Sequence, residues 1–164
     1  MLTPTLTEDA IRELIAEKKP IPDGLKPLSN LKERNKHLRR EYEFTCTNTG
    51  NFFVVKIRRS TMNPFDFSAI LGYQLPGLNT IFHLRRYNGK SHYHTNPLDE
   101  DIRFRGFHIH TATERYQKIG SKAEHFAEIT TRYADLDGAI DCLLADCGFK
   151  DPMEESPIFT GNIE

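Results

Sequence analysis

The amino-acid sequence predicts an α+β fold: an antiparallel sheet of five or six strands, with an N-terminal and a C-terminal helix packed on one face. Three observations carry this. Apolar residues alternate with polar ones through the middle of the chain, from Tyr42 to Thr111. They recur at helical spacing near both ends, at Ala10, Ile11, Leu14 and Ile15 and again from Leu136 to Cys147. Turn-forming residues break the central region into short pieces. A run of strands bracketed by helices belongs to the α+β class.

The first helix is predicted to start at Thr7, an N-cap residue followed by the acidic pair Glu8 and Asp9, and to stop before Pro20. Residues 19–30 hold three prolines and a glycine and read as a linker. Residues 31–40 are basic and compatible with either a helix or the lead-in to a strand. The chain is therefore expected to comprise a helix and linker over 1–30, one α+β domain over 31–149 and an acidic tail over 150–164.

Tyr42, Phe44 and Cys46 alternate with charged and hydroxyl residues, as do Phe53, Val55 and Ile57 beyond the turn Asn48-Thr49-Gly50-Asn51. A turn centred on Thr49-Gly50 sets Cys46 against Phe53, Phe44 against Val55 and Tyr42 against Ile57. On the other face it sets Glu43 against Lys56 and Glu41 against Arg58. A second antiparallel pair, 67–74 and 79–87, flanks Pro76-Gly77, with Ala69, Leu71, Phe82 and Leu84 toward the core.

Asn88-Gly89 signals a two-residue hairpin. Such a turn pairs Arg85 with His92 and His83 with His94. Alternation then gathers His83, Arg85, His92 and His94 on the face opposite Leu84 and Tyr93. A further strand is expected over 103–111, with Gly106 as a bulge and with His108 and His110 on one face. Residues 111–116 read as a polar exit, and Ser121 to Glu124 has capping-box spacing for a short helix. The last helix begins near Asp135 and ends at Gly148.

The bulk properties narrow the class. No apolar run approaches the roughly 20 residues that span a bilayer, and the N-terminus lacks a signal-peptide pattern, so a cytoplasmic protein without membrane contact is expected. Three cysteines without a CxxC pair point to reduced thiols rather than a disulfide scaffold. The net charge of −1 conceals an asymmetry: residues 31–118 carry 15 Lys/Arg and 8 Asp/Glu, while the flanks carry 7 and 15. A basic centre suits an anionic ligand, although a solvated sheet face neutralised by acidic helices has the same composition.

Two functional readings follow from the residues. Histidine titrates near neutral pH and can act as base and acid, and arginine neutralises phosphoryl oxygens. His94 and His110, with His83, His108 and Glu114 in support, would form the catalytic set of a metal-independent phosphodiester-cleaving face. Arg85, His92, Arg115, Tyr116, Lys56 and Arg58 would bind the substrate, and no cofactor would be needed. The alternative is a multi-histidine metal site: His92 and His94, or His108 and His110, offer paired nitrogens that a third histidine completes. Arg85 beside those histidines would disfavour a cation there. A non-catalytic module that binds nucleic acid or protein has the same surface.

The segments Leu84-Arg85-Arg86-Tyr87-Asn88-Gly89, His94-Thr95-Asn96 and Phe107-His108-Ile109-His110-Thr111-Ala112-Thr113-Glu114-Arg115-Tyr116-Gln117 resemble those of a family of uncharacterised small prokaryotic proteins. The resemblance runs from about residue 40 to Phe149 and implies a bacterial or archaeal source. That family has no assigned activity and supplies no catalytic residue. In general character the chain is similar to the ribonuclease toxins of toxin–antitoxin modules, which implies RNA as a substrate and an antitoxin-like protein as a partner. The oligomeric state is not legible.

Overall fold

The computed structural model describes residues 4–26, 28, 31–100 and 102–151. Helix α1 (Glu8–Ala16) is followed by strands β1 (Lys19–Pro20), β2 (Lys32–Arg34), β3 (His37–Thr45), β4 (Phe52–Ser60), β5 (Phe67–Gln74) and β6 (Ile81–Asn88). The chain continues through β7 (Tyr93–His94), β8 (Phe104–Arg105), β9 (His108–Thr111), α2 (Glu114–Lys118), β10 (Ala127–Ile129), α3 (Leu136–Asp146) and β11 (Phe149–Lys150). Seven strands form one antiparallel sheet in the order β10-β9-β6-β5-β4-β3-β2. The α+β class is as expected, and the two additional strands are β2 and β10.

Local chemistry explains both long helices. The Thr7 hydroxyl accepts from the Ala10 amide at the start of α1, and the Asp135 carboxylate accepts from the Gly138 amide at the start of α3. Ile11 and Ile15 from α1, and Leu136, Ala139, Ile140 and Leu143 from α3, join Tyr42, Val55, Leu71 and Tyr87 of the sheet in one core. That core also takes in Leu25 and Leu31, so α1 and the segment after it pack on the same sheet as the rest. β1 pairs in parallel with β11. Gly148 lies in the left-handed region, and a Cβ there would come within 2.3 Å of the Glu17 carbonyl oxygen.

Lys19 is 2 % exposed. Its Nζ donates to the carbonyls of Leu14, Ile15 and Glu17 around the end of α1, and to that of Cys147 at the end of α3, at 2.7–2.9 Å. One ammonium thus satisfies carbonyl groups that two helix C-termini leave over. Cys46, Cys142 and Cys147 are buried free thiols, as expected.

Register departs from expectation in instructive ways. β3 pairs with β4 through Tyr42↔Val55, Phe44↔Phe53 and Glu41↔Lys56, two residues away from the expected partners. The faces are preserved, because alternation fixes which side a residue takes but not its neighbour. Residues 31–40 form a tight hairpin, with Asn35 and Lys36 at φ 53° and 65°. β5 and β6 meet at Gln74↔Ile81 across Pro76-Gly77, as expected, with Ala69, Leu71, Phe82 and Leu84 buried.

The Asn88-Gly89 hairpin does not form. β6 pairs instead with β9, setting Arg86 against His110 and Asn88 against His108. The Gly89 amide continues the ladder to the Phe67 carbonyl, and a Cβ on Gly89 would lie 1.9 Å from the Phe65 carbonyl oxygen. The glycine therefore serves a close backbone approach. Residues 90–107 make an excursion whose own two-stranded ribbon pairs β7 with β8, Tyr93↔Arg105 and His94↔Phe104. The expected strand over 103–111 is consequently split into β8 and β9 around Gly106. The short helix lies at Glu114–Lys118, capped by the Thr113 hydroxyl, and not at Ser121. The acidic tail lies outside the described residues, apart from Lys150 and Asp151.

Candidate functional site

The face of the sheet away from α3 carries two polar ladders. One runs Glu41, Lys56, Ile70, Arg86, His110, Ala127; the other runs Arg39, Arg58, Ser68, Asn88, His108, Ile129. His108 and His110 lie two apart on β9 and so point to the same side. The β7–β8 ribbon folds over them and delivers His94. One ring nitrogen from each of His94, His108 and His110 lies within 4.8 Å of the other two. Ring centroids are 4.9 Å apart for His94–His110, 5.0 Å for His108–His110 and 5.5 Å for His94–His108.

The hydrogen bonds around each ring define its tautomer. His108 Nδ1 donates to the Gly106 carbonyl at 2.8 Å, and His110 Nδ1 donates to the Glu124 carbonyl at 2.7 Å. A carbonyl only accepts, so both Nδ1 atoms carry the proton and both Nε2 atoms keep a lone pair. Asn88 Nδ2 approaches His108 Nε2 at 3.5 Å, while its Oδ1 accepts from Ser68 Oγ at 2.8 Å, which agrees with that assignment. His94 Nε2 lies 2.9 Å from Asn96 Oδ1. The Asn96 amide is oriented by Ala127, whose carbonyl accepts from Nδ2 and whose N–H donates to Oδ1. His94 Nε2 therefore carries the proton, and Nδ1 keeps the lone pair. Each of the three imidazoles thus has one nitrogen donating to an oxygen, which leaves the lone pair on the other.

Burial keeps these rings neutral. It pushes His108 down to about 4 and His110 down to about 3, with neighbouring positive charges, Arg86 among them, acting in the same direction. His94 is lowered as well, first by burial. His108 is 0 % and His110 8 % exposed.

Two more histidines border the three. His92 is exposed at the rim, its ring 5.4 Å from that of His108. His125 lies 5.4 Å from His94 but has both nitrogens engaged: Nε2 with the Thr95 carbonyl, Nδ1 with the Ser121 hydroxyl. Its ring stacks on Tyr116, whose hydroxyl donates to Asp99 and accepts from the Leu98 amide. Arg115 grips Asp99 through both terminal nitrogens, at 3.0 and 3.1 Å.

Several expected site residues therefore have other surroundings. Arg115 and Tyr116 anchor the 95–99 loop that follows His94. Glu114 exchanges caps with α1, accepting from the Glu8 amide while its own amide donates to the Glu8 carboxylate, and it pairs with Lys118. Arg58 is tied to Asp66, and both Lys56 and Arg58 sit on β4, with β5 and β6 between them and β9. Arg85 is on the opposite, helix-covered face beside the Tyr87 hydroxyl and Asp146. Its separation from His83 comes from a bulge: Leu71 pairs with Arg85 but Gly72 with His83, leaving Leu84 as an extra residue. The expected cation, Arg85, is thus on the other side of the sheet, and the cation beside the histidines is Arg86, across the ladder from His110. His83 stays on the open face, where its Nδ1 meets Glu124 Oε2 at 2.7 Å. Burial alone would raise the Glu124 pKa, but the His83 contact and the charge of Arg86 hold it down at about 2.

Sequence reasoning missed Arg86, Asn96, Glu124 and His125 as members of this neighbourhood. The signal for Arg86 is the pair Leu84 and Tyr87, both apolar at a spacing of three, which a regular strand cannot bury on one face. No known family model matches the chain, and no curated protein or solved structure shows significant similarity to it.

Proposed function

We propose that His94, His108 and His110 form a three-histidine centre for a divalent transition metal of the zinc type. The observation that carries this is the convergence of three imidazoles, one nitrogen of each within 4.8 Å of the others, each of which also donates an N–H to an oxygen. Metal-binding histidines characteristically donate their second nitrogen to a carbonyl or carboxylate in this way, which fixes tautomer and ring direction. Zinc–nitrogen distances of about 2.0–2.1 Å imply ligand separations of roughly 3.3 Å, so small ring rotations close the present spacing. Three protein ligands leave a fourth position, and the exposed His92 marks the side from which water or substrate reaches it.

The same geometry gives less support to metal-independent RNA cleavage by His94 and His110. A general acid has to reach its substrate and titrate near the working pH. His110 is buried, and its conjugate acid dissociates far below neutrality.

The test is titration of zinc or cobalt(II) into chelator-treated protein, followed by calorimetry and the cobalt visible spectrum. One metal per chain is expected, with affinity lost by about a hundredfold or more in His110→Ala and changed by only a few-fold in Glu114→Gln. Equal affinity in wild type, His94→Ala and His110→Ala would overturn the assignment.

A further inference from the structure

Arg86 lies on the same face as the histidines, directly across the ladder from His110. Its guanidinium is half-buried yet makes no hydrogen bond to any described residue. Nε is buried without a partner. The nearest carboxylate oxygen, Glu124 Oε2, is 4.0 Å from Nη2, beyond hydrogen-bond reach, and is already engaged by His83 Nδ1. Among the described residues, other arginines grip a carboxylate: Arg12 with Asp9, Arg58 with Asp66, Arg115 with Asp99, and Arg132 with Asp146. A buried guanidinium N–H with no accepting oxygen is costly to keep, because the Nε donor has lost water and gained no hydrogen bond in return.

What it faces is a cavity of about 270 Å³, lined by Thr80, Phe82, His83, Arg86, Lys122 and Glu124 among others. Arg86 and Lys122 bring two permanent positive charges to this space. The single carboxylate is turned toward His83. A planar donor fork at the wall and a second, flexible cation at the mouth match a compact, doubly charged group with several acceptor oxygens.

We propose that this cavity is an oxyanion site for the phosphate group of a phosphate monoester, gripped by Arg86 with Lys122 closing over it. The site stands apart from the metal centre and does not require it. Glu124 joins the two, because its side chain borders the cavity while its backbone carbonyl orients His110.

The experiment uses the full chain after chelator treatment, so that the outcome is independent of metal. Inorganic phosphate, sulfate and acetate are titrated in turn and followed by calorimetry. Saturable 1:1 phosphate binding is expected, weakened roughly tenfold or more by Arg86→Gln and about threefold by Lys122→Ala, with acetate at least about tenfold weaker than phosphate. A second variant guards against loss of fold. Arg86→Met removes an unsatisfied guanidinium, so its anion-free melting temperature should equal or exceed that of wild type, and phosphate should raise the melting temperature of wild type only. Absence of saturable phosphate binding, undiminished affinity in Arg86→Gln, or acetate binding as tightly as phosphate would each overturn the proposal.

Discussion

Lowering the pH should unfold the metal-free protein from well above the carboxylate range. His108 and His110 stay neutral in the native state until about pH 4 and pH 3, because burial opposes their charge. In the unfolded chain both take up a proton near pH 6.5. Below 6.5 the unfolded state therefore binds up to two more protons than the native state, and stability falls as pH falls. Each histidine contributes about 1.4 kcal/mol per pH unit, so the pair removes roughly 5 kcal/mol between pH 6.5 and 4.5. That is a large share of the 5–15 kcal/mol typical of a domain. Glu124, held at about 2, adds a loss of the same sign only once the pH drops below the ordinary carboxylate value of about 4.5. The assay is urea denaturation at pH 7, 6 and 5 in the presence of a chelator. The midpoint should fall steadily, and His110→Gln, although less stable at pH 7, should show a slope shallower by about 1.4 kcal/mol per unit. A flat profile from pH 7 to 5 would refute the reasoning and return these histidines to an ordinary, solvated state.

Two further outcomes test the supports of the site and fold. Asn96→Ala frees His94 Nε2 and should weaken zinc binding by about tenfold while leaving the far-ultraviolet circular dichroism unchanged; calorimetry on the purified variant reads this directly. Lys19→Met keeps the length of the side chain but strands four carbonyl acceptors, and should cost roughly 3–5 kcal/mol in urea denaturation. A loss under about 1 kcal/mol would show that water replaces the ammonium.

Much of the architecture is legible before any coordinates, for reasons of range. Thr7 and Asp135 announce their helices because a cap is a contact over three residues. Pro76-Gly77 announces its turn for the same reason. His108 and His110 share a face because alternation within one strand is local. What fails is whatever depends on distant partners. Asn88-Gly89 has the chemistry of a two-residue turn, but the Phe65 carbonyl claims the glycine and β9 claims the strand edge. His94 consequently meets His110 through the fold of an excursion and not through a hairpin ladder. The third histidine of the site was among the expected residues, yet its route there was not visible. Asn96 and Glu124 act through a backbone partner and a backbone carbonyl, interactions that residue type alone does not reveal.

The extra residue at Leu84 acts as a phase slip in β6. On its C-terminal side the strand keeps the parity that sends Arg86 and Asn88 to the open face. On its N-terminal side the parity is inverted, so that His83 returns to that face although it is an odd number of residues from Arg86. Arg85 and Arg86 are adjacent and chemically identical, yet they belong to different layers, one at the joint between sheet and α3, the other facing the cavity. Identical substitutions at the two positions should then read out as different properties, cohesion at 85 and ligand capture at 86. Deleting Leu84 would restore regular alternation and leave His83 and Arg86 on the open face with Phe82 and Arg85 on the other, so the cost of that deletion would be the buried Leu84 side chain alone.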